Sequence, residues 1–258
     1  MEEIKKETGN DQVEFMEVDL ASLESIKSFA SAFIARNLPL HILMNNAGLM
    51  GPFSLSKDGI ELVFATNHLG HFYLTLLLFD VLDKSQPCRI VNVSSEGHKA
   101  FAPREGIRFD HINDKATYSV TGAYGQSKLA NVLFTRELTR RLGERKIYVN
   151  SNNPGAIRTQ FHRNFDIPAW FLKPLAAVAH QLFFVSIENG ALTQLYLAAS
   201  PEVEENNVKG EYYLPTAKKA VCSDMAQDPQ MAQKLWDFSV NLIKEKIPDF
   251  EVPESLRS

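Results

Sequence analysis

Residues 13–18, Val-Glu-Phe-Met-Glu-Val, alternate between apolar and polar positions and predict a β-strand. The spacing then changes. Leu23, Ile26, Phe29, Ala30, Phe33 and Ile34 recur at intervals of three and four, which places them on one helix face, with Ser22 positioned to cap it. Residues 40–44 form a short apolar run that reads as a buried strand. The same alternation of elements continues: helix over 59–82, strand over 89–93, helix over 124–141 and strand over 147–151. Helix over 188–199, strand over 210–214 and an amphipathic helix over 231–245 complete it. Strands interleaved with helices of this length predict βαβ units. With right-handed crossovers these build a doubly wound parallel α/β sheet of Rossmann type.

Composition narrows the class without changing that picture. Of 258 residues, 45 % are hydrophobic and 22 % charged, the balance of a folded globular chain. A net charge of −4 offers no basic face, so nucleic acid is not an expected partner. Cys88 and Cys222 are too few for a disulfide framework, so the expected setting is cytoplasmic or membrane-peripheral and intracellular. The charged start, Met-Glu-Glu-Ile-Lys-Lys-Glu, is unlike a signal peptide. The most apolar stretch, 170–187, is interrupted by Lys173, Pro174 and His180 and reads as a buried or lid helix. Its Trp170, Phe171, Leu172, Phe183 and Phe184 suit either packing on the sheet or the lining of an apolar entrance. Residues 1–247 are expected to form one domain and 248–258 a C-terminal surface extension.

Ligands of open α/β sheets sit beyond the carboxyl ends of the strands. At those ends this chain places Asp19, then Asn45-Asn46-Ala47-Gly48, then Ser94-Ser95, then Asn152-Asn153-Pro154-Gly155 followed by Thr159. Small and polar residues thus recur at one edge, where a flat polar ligand can approach the backbone. Tyr124 and Lys128 are four apart on a predicted helix and share a face. A phenol ordinarily titrates near 10, and an adjacent ammonium favours its ionised form, so the pair suits acid/base work. Of seven tyrosines only Tyr124 is followed by Lys at that spacing, which chance alone could produce. No HExxH, CxxC or Gly-x-Ser-x-Gly spacing occurs. His68 and His71 read as packing residues, and no metal ligands are assigned.

Order adds what spacing lacks. Asn45-Asn-Ala-Gly48, Asn67-His-Leu-Gly-His-Phe72, Arg89-Ile-Val-Asn-Val-Ser-Ser95, Tyr124-Gly-Gln-Ser-Lys128-Leu-Ala-Asn and Pro154-Gly155 follow one another along the chain. In this the sequence resembles the short-chain dehydrogenase/reductase family, and within it the retinol-dehydrogenase-like branch. The likeness runs from about Met1 to Ile247. The resemblance implies a nicotinamide-dependent oxidoreductase that interconverts a small apolar alcohol and its carbonyl. It implies Tyr124 as acid/base, Lys128 as the holder of the nicotinamide ribose and modulator of Tyr124, and Ser95 as the partner of the substrate oxygen. Asn67 would hold a water near Lys128. Asp19 would lie near the adenine, and Asn46, Ala47 and Gly48 along the cofactor. Pro154, Gly155, Ile157 and Thr159 would meet the nicotinamide end. NADP or NAD would serve, NADP being slightly favoured. The likeness is compatible with a homodimer or a monomer and with contact to a membrane surface.

One part of the family pattern is missing. Its opening strand, Thr-Gly-x-x-x-Gly-x-Gly turn, helix and second strand have no counterpart before Asp19. The chain is therefore read as an N-terminally truncated member. That turn is where helix N-terminal amides receive a pyrophosphate, so cofactor binding is expected to be weakened. The alternative reading is a catalytically silent family member acting as a binding or regulatory protein. A sugar-nucleotide epimerase, which can share the Tyr–Lys pair, fits the motif string less well.

Overall fold

The computed structural model describes residues 1–157 and 184–257. Its elements in chain order are α1 (Glu2–Thr8), α2 (Leu23–Ala35), β1 (Ile42–Asn45), α3 (Leu62–Phe64), a π turn (Ala65–Leu69), α4 (Gly70–Leu77), α5 (Phe79–Lys84) and β2 (Cys88–Val93). There follow α6 (Gly97–Ala100), α7 (Val120–Leu142), β3 (Ile147–Asn152), β4 (Ala156–Ile157), β5 (Phe184–Val185), α8 (Ile187–Ala199) and α9 (Glu202–Glu205). The chain continues with β6 (Tyr212–Leu214), β7 (Lys218–Ala220), α10 (Asp224–Gln227) and α11 (Pro229–Lys246).

Five strands form the main sheet in the order β1-β2-β3-β6-β7. The first four run parallel and β7 returns antiparallel to β6. β4 and β5 make a separate two-stranded pair. Strand β2 is buried along its whole length, as expected of a strand covered on both faces. Its side chains alternate accordingly. Cys88 and Ile90 join Leu129 and Leu133 of α7 in the main core, whereas Val91 packs with Leu197 and Ala198 of α8. Helices therefore cover both faces of a parallel sheet, the Rossmann-type architecture.

The helix boundaries follow local chemistry. Ser22 caps α2, its hydroxyl accepting from the Ser25 amide. Ser119 does the same for α7 through Gly122, and Asp228 caps α11 with Pro229 in the first turn. The helix predicted over 59–82 is instead segmented. It starts at Leu62, where the Glu61 carboxylate accepts from the amides of Val63 and Phe64 at 2.8 Å each. It widens into the π turn around Asn67 and breaks at Leu78.

Two expectations are corrected. Residues 13–18 are not a strand: β1 pairs only with β2, and among the described residues no strand lies on its other side to bond with this segment. Phe15 is consequently 73 % exposed. Of the expected extension 248–258, the described residues 248–257 are not loose. Phe250, Val252 and Leu256 are buried, and the Phe250 ring meets Tyr73 edge-on. Arg141, buried beside Glu137 and stacked over Trp236, donates to the Leu256 carbonyl at 2.6 Å. A buried guanidinium satisfied by a carboxylate, an indole face and a backbone oxygen ties this tail to α7 and α11.

Candidate active site

The carboxyl ends of β1 and β2 and one face of α7 converge on a small cluster of polar side chains. Helix α7 brings Tyr124, Ser127, Lys128 and Asn131 to that face, as their spacing requires. Ser94 and Ser95 follow directly on β2. Their roles diverge. Ser94 is buried and donates to the Lys128 carbonyl at 2.7 Å, a tie between strand and helix. Ser95 is partly exposed, accepts from the Gly97 amide at 3.1 Å and acts to lower the pKa of the Tyr124 phenol. The strand-to-helix tie therefore belongs to one serine and the phenol contact to the next.

Gly97 makes the second contact possible. A Cβ there would lie 3.1 Å from Tyr124 Cε1 and 3.4 Å from Ser95 Oγ. Gly125 is needed for a related reason. A Cβ at that position would come within 2.4 Å of the Ala102 nitrogen, so only glycine lets the 101–102 backbone lie against α7 beside Tyr124.

Lys128 is buried, its Nζ donating to the Val93 carbonyl at 3.0 Å and standing 5.7 Å from the Tyr124 ring centroid. Burial lowers its pKa to about 8. Burial also pushes the Tyr124 phenol up, and the Ser95 hydrogen bond only partly offsets this. The expectation that Lys128 lowers the phenol's pKa is thus not met. Desolvation of the ring's hydroxyl is the larger influence, so Tyr124 is held protonated at neutral pH.

Asn67 occupies the π turn and faces Lys128 across Gly48. Its Nδ2 donates to the Leu49 carbonyl at 2.9 Å and to Ser127 Oγ at 3.0 Å, and its Oδ1 accepts from the Leu49 amide at 2.8 Å. The side chain is thereby committed to the backbone after β1 and to Ser127 of α7. It holds Gly48 in place. A Cβ on Gly48 would lie 3.2 Å from Asn67 Oδ1 and 3.3 Å from Lys128 Nζ. Asn46, Ala47 and Gly48 themselves are exposed and form an open shelf leading to the buried lysine. Gln194 of α8 donates to Asn46 Oδ1 at 3.1 Å across the sheet edge.

The remaining sequence-derived positions fall into three groups. Asp19 is half-exposed and paired with Lys57 at 2.9 Å, which holds its carboxyl below the usual range. Its partners Lys57, Ala21, Ser22 and Ser25 lie outside the cluster around Tyr124. Pro154 and Gly155 follow β3 in a turn where Gly155 has φ +85° and its amide donates to Asn153 Oδ1 at 3.0 Å. Ile157 contributes backbone to β4. Thr159 and most of the apolar stretch 170–187 lie outside the described residues.

Sequence reading missed the buried polar network beneath the site. Asn45 Nδ2 donates to Asn92 Oδ1 and to Thr75 Oγ1, Asn92 Nδ2 to Thr135 Oγ1, and Asn131 Nδ2 to the same Val93 carbonyl that Lys128 uses. This network ties α4 and α7, the helices on either side of the site, to the strand ends. The asparagines recurring at the strand ends were the available signal. His68 and His71 are packing residues: His68 Nε2 meets Ser239 Oγ, and His71 Nδ1 meets the Asn67 carbonyl.

Comparison with known proteins agrees with this geometry. The short chain dehydrogenase family model matches residues 1–105 and 112–168. The chain belongs to that family. It is an oxidoreductase of the short-chain dehydrogenase/reductase type, with retinol-dehydrogenase-like relatives. It is 43 % identical over 249 residues to a short-chain dehydrogenase of Brassica napus, TIC 32 A, chloroplastic, covering 93 % of this chain and 74 % of that protein. It is 43 % identical over 232 residues to human retinol dehydrogenase 14, covering 88 % of this chain and 67 % of the relative. A solved protein from Mycobacterium paratuberculosis superposes with a TM-score of 0.67 at 29 % identity, covering 98 % of this chain and 81 % of that one. Among the described residues no helix is long and apolar enough to cross a membrane.

Proposed function

We propose that this short-chain dehydrogenase reduces an apolar carbonyl to its alcohol, or runs the reverse, with NAD(P) as hydride carrier. The observation that carries the reading is the meeting of Ser95, Tyr124 and Lys128 at the end of β2, with Lys128 Nζ 5.7 Å from the Tyr124 ring centroid and Ser95 acting to lower the phenol's pKa. A carbonyl oxygen gains negative charge as hydride arrives at its carbon. Two hydroxyls aimed at one point can stabilise that charge, and the protonated phenol of Tyr124 can deliver the proton. Ser95 orients the oxygen and Lys128 supplies a buried ammonium behind the ring. A phenol raised by burial stays protonated at neutral pH, so it has a proton to deliver in the reductive direction and must regain one as base in the reverse.

The residues fit the nicotinamide half of such a cofactor. Lys128 lies at the end of the exposed Asn46–Ala47–Gly48 shelf, its nitrogen donating to the Val93 carbonyl. When bound, the cofactor supplies the hydride chemistry, and the protein supplies geometry and the proton. Pro154 and Gly155 border the same edge. The alternative reading is a catalytically silent family member acting as a binding or regulatory protein.

Retinol dehydrogenase relatives and the apolar residues of 170–187 support an apolar substrate of retinoid-like or long-chain type. The test is reduction of long-chain against short-chain aldehydes with NADPH and with NADH, in wild type and in Tyr124→Phe. Faster reduction of the long-chain aldehyde, lost in the variant, supports the oxidoreductase reading. Aldehyde binding without turnover in wild type supports the silent one.

A further inference from the structure

Immediately after Ser95, the turn formed by Glu96, Gly97 and His98 is gripped from the far side of the molecule. His98 is 0 % exposed. Its Nδ1 lies 2.6 Å from the Ser95 carbonyl, and its Nε2 lies 3.2 Å from the Ser223 backbone amide. An amide N–H can only donate, so Nε2 must be the unprotonated nitrogen, and the proton sits on Nδ1, donated to Ser95. The ring edge packs against Tyr212 at 4.9 Å. Tyr212 in turn donates its hydroxyl to Glu96 Oε1 at 2.8 Å. Two residues of the turn are thus held by the β6–β7 hairpin and the segment leading to α10, both more than one hundred positions further along the chain.

We infer that His98 is a positioning residue for Ser95, fixed as the Nδ1–H tautomer between the Ser95 carbonyl and the Ser223 amide. It couples the turn that presents the reacting hydroxyl to the segment joining β7 and α10. The inference rests on the reading of Ser95 as the group that holds the substrate oxygen. Ser95 Oγ is directed by the Gly97 amide within the same turn, so the turn's placement sets the distance from Ser95 to Tyr124. Displacement of about 1 Å at such a site is enough to cost roughly a hundredfold in rate.

The test uses the full chain, with histidine nitrogens labelled with 15N and tyrosine ζ carbons with 13C, the Tyr124 signal being assigned with Tyr124→Phe. His98 is expected to give the neutral Nδ1–H pattern at pH 7. His98→Ala is expected to move the Tyr124 ζ-carbon signal in the same direction as Ser95→Ala does. His98→Asn, whose amide nitrogen can take the place of Nδ1, is expected to leave that signal near wild type. In turnover, His98→Ala should lower kcat about tenfold with KM changed less than about threefold, and His98→Asn should restore most of it. An Nε2–H tautomer, or a Tyr124 signal unmoved by His98→Ala, would overturn the inference. If His98→Ala fails to fold, the tautomer and the asparagine variant still decide. A Tyr124 signal unmoved by Ser95→Ala would instead break the reading of Ser95 itself, leaving the tautomer measurement to judge His98.

Discussion

Tyr124 and Lys128 carry most of the proposed chemistry, and their environments pull on their protons in different ways. Removing the phenol hydroxyl in Tyr124→Phe keeps the ring and its packing. Turnover is expected to fall by roughly 10²–10⁴, with nucleotide affinity within about twofold of wild type by calorimetry. Lys128→Ala is expected to weaken both, since the ammonium serves the shelf as well as the ring. Lys128 also marks the stability curve. Its folded pKa of about 8 is depressed from 10.5, so the unfolded chain binds the extra proton between those values. The stability contribution of this residue therefore rises with pH from about 8 to 10.5 and is flat below 8. Urea unfolding from pH 7.5 to 10 should show a rising component that Lys128→Met removes.

At the scale of elements, the site depends on backbone approaches that side-chain chemistry does not advertise. Helix α7 and the 101–102 backbone touch at Gly125, so Gly125→Ala forces main chain apart at 2.4 and 2.5 Å. A loss of about 1–3 kcal/mol is expected in denaturant unfolding, the usual cost of overpacking a site that cannot yield. The π turn and α4 bring a second effect. Burial lowers His68 to about 3 and His71 to about 4, from 6.5. Below 6.5 the unfolded chain takes up protons that the folded chain refuses. Each histidine then removes stability at about 1.4 kcal/mol per pH unit until its folded value is reached. Thermal scans should show the melting temperature falling steeply from pH 6.5 towards pH 4, and less steeply in His71→Gln.

At the scale of the whole molecule, the described residues have a well-packed centre and an open flank at β1. Strand β1 is an edge, and Ile42 and Met44 on it are 45 % and 36 % exposed, with Ile34, Leu38 and Phe15 also uncovered. An uncovered parallel edge with apolar side chains invites association between chains. The same flank adjoins the shelf that would meet a dinucleotide. NADPH titration of residues 1–258 by calorimetry is expected to give a dissociation constant above about 0.1 mM, corresponding to less than about 5.5 kcal/mol of binding. Saturation at micromolar NADPH would show that another set of backbone amides receives the phosphates.

Much of this was legible from residue order. Strands 89–93 and 147–151, the helix carrying Tyr124 and Lys128, and the Ser22 cap all came from periodicity, because burial on both faces and helix spacing leave a local imprint. The tie that Ser94 makes from strand to helix was not readable, because its partner is a backbone carbonyl of α7 that only the packing brings to it. What pairing decides was not legible. Residues 13–18 have an alternating pattern but no neighbour to bond with, and a strand exists only with a partner. Residues 248–258 look polar and Pro-rich, yet Arg141, Trp236 and Tyr73, from three distant elements, give Phe250 and Leu256 a place to bury. The Tyr124 proton followed the same rule. Spacing placed an ammonium beside the phenol, but desolvation, a property of everything packed around the ring, determined the direction of the shift.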